Sequence, residues 1–323
     1  MSATVFTFSF GSFNYFCNSV ALTLCPLVGP DGGIEPACYA RNVELGGTLI
    51  FEPVLADESG TNYVHSYPLA TLVIYLIALI MTGIMIFNIK AKYTAVGRKE
   101  IVIFFYMYAA SVLVELLLVS GIIPTASAPY QYFTAGHIAL STTTCWILLL
   151  NGFVGFQWAE DGTPLSLWSI RISSAVVFVG VFFVALATFI PFAGFSKSNP
   201  VPLFIIYYLF NLAFVVIYVL LQVVLVLNTL DDRWPLGDIL FGFTFFIAAQ
   251  IFQYVLNSPL CELAKHYVDG LFFGTICTLL AVMMVYKYWD SITKEDLEFS
   301  VGGKTNVWEI KDPLLGDDSY DRY

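Results

Sequence analysis

Apolar residues gather in seven long runs along this chain, near residues 67–89, 101–123, 133–155, 170–191, 203–228, 238–257 and 267–289, with short polar stretches between them. A bilayer core about 30 Å thick takes roughly 20 helical residues, so each run is long enough to cross one. Strands of a membrane barrel would instead alternate in polarity over about ten residues, and these runs do not alternate. The pattern predicts an all-α, polytopic membrane protein with seven transmembrane helices. Three regions follow: an N-terminal segment at 1–65, a seven-helix membrane domain at 66–289 and an acidic tail at 290–323. Short connections predict that sequential helices pack antiparallel. Pro124 and Pro129 punctuate the second connection and "SKSNPVP" opens the fifth helix, since proline cannot continue a helix but suits its first turn.

Composition strengthens this picture. The chain is 12% charged and 58% hydrophobic, whereas soluble domains are about a quarter charged. A net charge of −10 argues against nucleic acid, which needs a basic surface. Residues 1–65 carry six acids against Arg41 alone, and residues 290–323 carry nine acids against four bases. Basic residues are retained on cytosolic flanks. With the N-terminus lumenal, the cytosolic side collects eleven of them, beginning with Lys90, Lys92, Arg98 and Lys99, while the other side keeps Arg41, Lys197 and Lys265. The expected topology is therefore N-terminus lumenal and C-terminus cytosolic. "MSATVFTFSFGSF" lacks a preceding positive charge and is interrupted by polar residues, so no cleavable signal peptide is expected there. Beyond Trp289 the acidic sequence is expected to be a mobile tail.

On that topology Cys17, Cys25, Cys38 and Cys261 share the non-cytosolic side, where disulfides form. Four such cysteines allow several pairings or free thiols, and a bridge from Cys261 to the N-terminal segment would fasten that segment over the sixth and seventh helices. Cys145 and Cys277 fall inside helices three and seven.

Candidate chemistry is sparse. Glu115 lies deep in the second apolar run, where an acid must face other helices and find a partner. The structural expectation is an interhelical hydrogen bond to Gln222, Gln250, Gln253 or Asn151; the functional ones are a proton relay or a substrate contact. His65, His137 and His266 all fall near lumenal helix ends, but no two share the spacing of a zinc motif. Lys287 sits at the cytosolic end of the last helix rather than in its interior, where a Schiff-base lysine would be needed. No phosphate-binding loop or dinucleotide fingerprint occurs. The residues point to no catalytic group, no cofactor and no metal.

Features suited to contact remain. Gly270 and Gly274 stand four apart, allowing close helix approach within the bundle or to a partner. The basic "KAKYTAVGRK" can hold anionic membrane lipids or serve only to orient the first helix. Asp296 and Glu298 form a di-acidic pattern similar to signals for leaving the endoplasmic reticulum. The polar loop "NGFVGFQWAEDGTPLSLWSIR" carries Trp158, Glu160, Asp161 and Trp168.

"CYARNVEL", "KYTAVGRKEI", "VELLLVSGIIP" and "LLLNGFVGFQWAEDGTPLSLWSIRISS" closely resemble the fungal chitin synthase export chaperones, from about Cys38 to the end of the seventh helix. The resemblance implies a non-enzymatic, multi-pass protein of the endoplasmic reticulum membrane. Its expected partner is a chitin synthase, a polytopic glycosyltransferase that it helps fold and leave that compartment, with an association that outlasts export as an open alternative. The loop between helices three and four would then lie on the cytosolic side. Trp158 and Trp168 are expected as interfacial anchors and Glu160 and Asp161 as contacts to a basic client surface, with Gly162 and Pro164 fixing the turn. In the plainer alternative, one of the acids pairs with Arg171. Two competing functions are a seven-helix membrane receptor, on helix count and topology alone, and a transporter or hydrolase built around Glu115 and the histidines.

Overall fold

A computed structural model describes residues 10–29, 33–34, 38, 40, 69–93, 95, 97–156, 162–191, 194–197, 200–229 and 233–305, with side chains described as far as Thr293. Among the described residues, seven helices are long and apolar enough to span a membrane. They are α1 (Leu69–Ala91), α2 (Arg98–Val119), α3 (Ala128–Val154), α4 (Pro164–Phe189), α5 (Val201–Thr229), α6 (Trp234–Tyr254) and α7 (Gly270–Thr305). Each coincides with one apolar run of the sequence. The largest difference is at the end of α7, which continues past the apolar run because "DSITKEDLEFS" contains neither glycine nor proline to stop it.

Sequential helices pack as neighbours, α3 also contacts α5, and α7 returns to α1, so α1, α2, α3, α5, α6 and α7 form a closed ring with α4 outside against α3. α3 is accordingly the most buried span. Its small and hydroxyl-bearing residues, among them Ala135, Ala139, Thr142 and Thr143, are buried and let its neighbours approach closely. The outward faces carry exposed Ile80, Phe87, Val176, Val179, Leu220 and Phe241, as expected for helices solvated by lipid. α5 contains a π-helical stretch at Ile205–Phe210.

The described part of the N-terminal segment, residues 10–29, 33–34, 38 and 40, packs over one end of the ring. A short helix, Asn14–Ser19, and a 3-10 turn, Cys25–Leu27, bury Phe13, Val20, Leu24 and Val28 against Leu118 of α2, Tyr130 of α3 and Phe204 of α5. The Phe16 ring stacks on Tyr208 with centroids 4.6 Å apart. Two disulfides brace this cap: Cys17–Cys25 closes it on itself, and Cys38–Cys261 ties it to the short helix Asn257–Leu263 between α6 and α7. Buried Asn257 donates to the carbonyls of Ser19 (2.5 Å) and Cys38 (3.2 Å), and its own carbonyl accepts from Gly270 N–H (2.7 Å). One side chain thus ties both parts of the cap to the start of α7.

Candidate functional site

The polar loop between α3 and α4 lies at the opposite end of the bundle. Trp158, Glu160 and Asp161 fall outside the described residues, as does any pairing of those acids with Arg171. The end of the loop is described, and it is held from α2. Glu100 is fully buried; its Oε1 accepts from the Gly162 backbone N–H at 2.8 Å and the Ser166 hydroxyl at 3.3 Å. Neighbouring Lys99 donates to the Gly162 carbonyl at 3.4 Å. Gly162 adopts the left-handed conformation, φ 69°, which a glycine reaches without the Cβ penalty. Thr163 then caps α4 by accepting from Ser166 N–H at 3.3 Å, and Pro164 takes the first helical turn. The carboxylate of Glu100 thus sits in the first turn of α2 and beside the start of α4. Trp168, on the second turn of α4, is 59% exposed. Sequence reasoning did not single out Glu100, which directly follows the basic "KAKYTAVGRK".

The bases expected to attract lipid headgroups have partners within this end. Lys92 pairs with Asp290 of α7, Lys90 donates to the Tyr106 hydroxyl, and Arg98 donates to the Lys90 carbonyl at 3.0 Å. Lys287 bridges to buried Asp238 of α6 at 2.9 Å. Buried Gln222 of α5 accepts from the Tyr288 hydroxyl at 2.6 Å. Asp296 and Glu298 fall on the last turns of α7, and their side chains lie outside the described residues.

Glu115 has a different partner from those weighed on sequence. Gln222 is taken by Tyr288, and Asn151 donates to its own helix at Ile147 O, 2.8 Å. The carboxylate of Glu115 instead lies 3.7 Å from His137 Nε2 of α3. Tyr75 of α1 also faces it, and Thr275 of α7 faces Tyr75.

His137 and His266, the two described histidines, do not converge. His65 falls outside the described residues, His137 meets Glu115, and His266 lies beside the bridge that ties down the cap, its Nδ1 3.3 Å from Cys38 Sγ and 3.5 Å from Cys261 Sγ. Ligand atoms of Cys38, Cys261 and His266 lie within 4.8 Å of one another, but the two sulfurs are bonded to each other. A thiolate is the form that ligates a metal, so the oxidised cluster does not suit one. Gly270 and Gly274 serve internal packing: a Cβ at Gly270 would run into the Phe252 carbonyl, and one at Gly274 would lie 3.4 Å from the Ala249 carbonyl.

Comparison with known proteins adds to this geometry. A family model described as "Chitin synthase export chaperone" matches residues 9–303. The chain is 50% identical over 315 residues to the chitin synthase export chaperone of Chaetomium globosum, covering 96% of this chain and 90% of the relative. It is 49% identical over 315 residues to that of Aspergillus fumigatus, with the same coverage. For that of Cryptococcus neoformans var. neoformans the identity is 50% over 309 residues, 95% of this chain and 81% of the relative. No solved structure matches.

Proposed function

The chain belongs to the chitin synthase export chaperone family, and from that premise we propose how this multi-pass, non-enzymatic chaperone engages its client. It binds a chitin synthase within the endoplasmic reticulum membrane, with its disulfide-braced cap in the lumen and the α3–α4 loop in the cytosol. The bias of lysine and arginine toward the loop-bearing end supports that orientation. Cysteine pairing at the other end fits an oxidising compartment.

The observation that carries the docking proposal is the anchoring of Gly162 by a fully buried carboxylate. A loop fixed at its base presents its polar residues with less ordering cost on binding than a loose one. Glu160 and Asp161 contact a basic surface of the client, while Trp168, and Trp158 with it, anchor at the membrane interface. Binding the folded client but not misfolded forms stabilises the former by about 2.7 kcal/mol at a hundredfold excess over Kd. That shift changes the fraction that passes quality control without any nucleotide cycle.

Reversing Glu160 and Asp161 to lysine in the full-length protein, followed by co-isolation of the synthase, tests the docking surface. Loss of capture with normal folding is expected; undiminished capture removes the loop from the interface. The larger role is tested by deleting the gene and locating the synthase. Retention in the endoplasmic reticulum is expected, and normal delivery to the cell surface would contradict it.

A further inference from the structure

The bridge that fastens the cap has a third group built against it. Cys261 lies on the short helix Asn257–Leu263, beyond which two successive residues are left-handed, Lys265 at φ 50° and His266 at φ 65°. That turn folds the chain back: the His266 N–H donates to the Cys261 carbonyl at 2.9 Å and the Lys265 N–H to the Glu262 carbonyl at 3.1 Å. The imidazole is thereby laid over the bridge, its Nδ1 3.3 Å from Cys38 Sγ and 3.5 Å from Cys261 Sγ. Left-handed backbone is uncommon in residues other than glycine, and where it persists it tends to mark ligand clamps and other functional sites.

The distances suit a metal site. A tetrahedral Zn2+ with thiolates at about 2.3 Å and imidazole at about 2.0–2.1 Å places nitrogen and sulfur about 3.6 Å apart and two sulfurs about 3.8 Å apart. The His266 nitrogen already stands near that separation from both sulfurs, and the sulfur–sulfur bond is what closes the set to an ion. The two cysteines are also held together by more than that bond. Asn257 donates to the Cys38 carbonyl at 3.2 Å, and the Asp269 carboxylate accepts from the Ala40 N–H at 3.5 Å, so the segment carrying Cys38 keeps its place beside Cys261 when the bond is open. Both cysteines are buried, whereas His266 is exposed, which gives an ion an approach from one side. Two buried thiolates are costly on their own; a dication cancels both charges and leaves a neutral set.

We propose that Cys38, Cys261 and His266 bind Zn2+ when the bridge is reduced, so that the cap is fastened to the α6–α7 connection by a covalent bond in one redox state and by a metal ion in the other. The reductant is a dithiol. Its sulfurs break the Cys38–Cys261 bond and leave as a disulfide of their own, and two electrons and two protons pass to the cysteines. Zn2+ then displaces both protons and takes the lone pair of His266 Nδ1, while Nε2 keeps the ring proton; water fills the fourth position. Thiolate and imidazole together select Zn2+ over Mg2+ and Ca2+, which take oxygen ligands. The Cys17–Cys25 bridge has no such third ligand among the described residues, so its reduction offers no site. The two sulfur ligands stand 223 residues apart, outside the local spacing by which a zinc motif is read from sequence.

The test uses the purified full-length protein in detergent, freed of metal, without a histidine tag, and reduced with a phosphine, which leaves as its oxide with an oxygen from water and competes for metal less than a thiol does. Zn2+ binding is read by competition with a chromogenic chelator, and the ligands by alkylation of free thiols followed by mass spectrometry. The reduced protein is expected to bind one Zn2+ per chain and the oxidised protein none, with Zn2+ shielding Cys38 and Cys261 from alkylation but not Cys17 or Cys25. Co2+ in place of Zn2+ should give thiolate charge-transfer absorption in the reduced protein alone. His266→Gln leaves the bridge itself intact and should weaken Zn2+ binding by on the order of a hundredfold, the upper end of what even an outer-shell change costs. Equal binding by the oxidised protein, unshielded Cys38 and Cys261, or undiminished affinity in His266→Gln overturns the proposal. So does a loss of helical structure on reduction that added Zn2+ does not prevent. If His266→Gln does not yield folded protein, the shielding of Cys38 and Cys261 in the unaltered chain decides.

Discussion

Glu100 Oε1 accepts the Gly162 backbone N–H at 2.8 Å, so a carboxylate in the first turn of α2 holds the chain where it enters α4. Removing it should loosen both. Glu100→Ala leaves the Gly162 N–H and the Ser166 hydroxyl without their acceptor in a buried site, at a cost of roughly 2–4 kcal/mol. Glu100→Gln keeps an acceptor and should cost less than half of that. Thermal unfolding of the purified protein gives the magnitudes. Limited proteolysis at residues 157–161 should speed up in the alanine variant well before global unfolding.

Gly270 and Gly274 predict an asymmetry. A Cβ at Gly270 would overlap the Phe252 carbonyl and lie 2.8 Å from Asn257 Cα, both backbone atoms with little freedom to move. At Gly274 the nearest atoms lie 3.4 Å away, which is ordinary contact. Gly270→Ala should therefore destabilise by about 2 kcal/mol or more, and it should also break the Gly270 N–H bond to Asn257 that helps seat the cap. Gly274→Ala should be within about 0.5 kcal/mol of neutral. Melting midpoints of the two variants, prepared side by side, decide it.

The same pair of glycines shows what the sequence could and could not convey. Their spacing declares that something approaches closely, and seven apolar runs declare the spans, because both are periodic properties of neighbouring residues. What approaches is set by residues far away in the chain: the Phe252 carbonyl and Asn257 rather than a partner protein. Glu115 is similar. Its depth in an apolar run marks it as needing a partner, but choosing His137 over four plausible amides requires knowing how α2 is rotated against α3. Glu100 is illegible for a different reason. It sits among Arg98 and Lys99, so composition assigns its neighbourhood to the basic flank, and only the fold of the α3–α4 loop brings Gly162 and Ser166 to it. The end of α7 departs from expectation because charge and low hydrophobicity suggest a mobile tail, whereas helix propensity, uninterrupted as far as Gly302, carries the helix to Thr305.

The bridge between Cys38 and Cys261 spans 223 residues of sequence and joins the cap to the α6–α7 connection. Cys38→Ser, Cys261→Ser and the double variant should lose the same amount, roughly 2–4 kcal/mol, because each removes the same bond. Adding Cys17→Ser should produce a further, separate loss, since Cys17–Cys25 braces a different part of the cap. Melting midpoints of the single, double and triple variants read this directly. Equal losses from Cys38→Ser and Cys261→Ser that add up in the double variant would mean the two cysteines do not act as one bridge.

Asp269 supplies a pH dependence with a sign that can be worked out from its surroundings. Burial pushes its carboxyl up from the ordinary range, and this outweighs the lowering by the backbone donors of Phe272 and Ala40, at 3.1 Å and 3.5 Å. A folded value above the unfolded one means that the native state favours the protonated acid. The associated stability is fully present below the unfolded value and is lost as pH rises through the folded one. Asparagine at this position carries no charge to bury, but its single oxygen serves only one of the two donors, which the carboxylate meets through Oδ1 for Phe272 and Oδ2 for Ala40. Relative to the unaltered protein, Asp269→Asn should therefore carry a constant loss from the unmet donor and gain in melting midpoint as pH rises from the ordinary carboxyl range. A gap that instead widens against the variant as pH rises would show that the ionised carboxylate, acting as the cap of α7, stabilises the fold more than its burial costs.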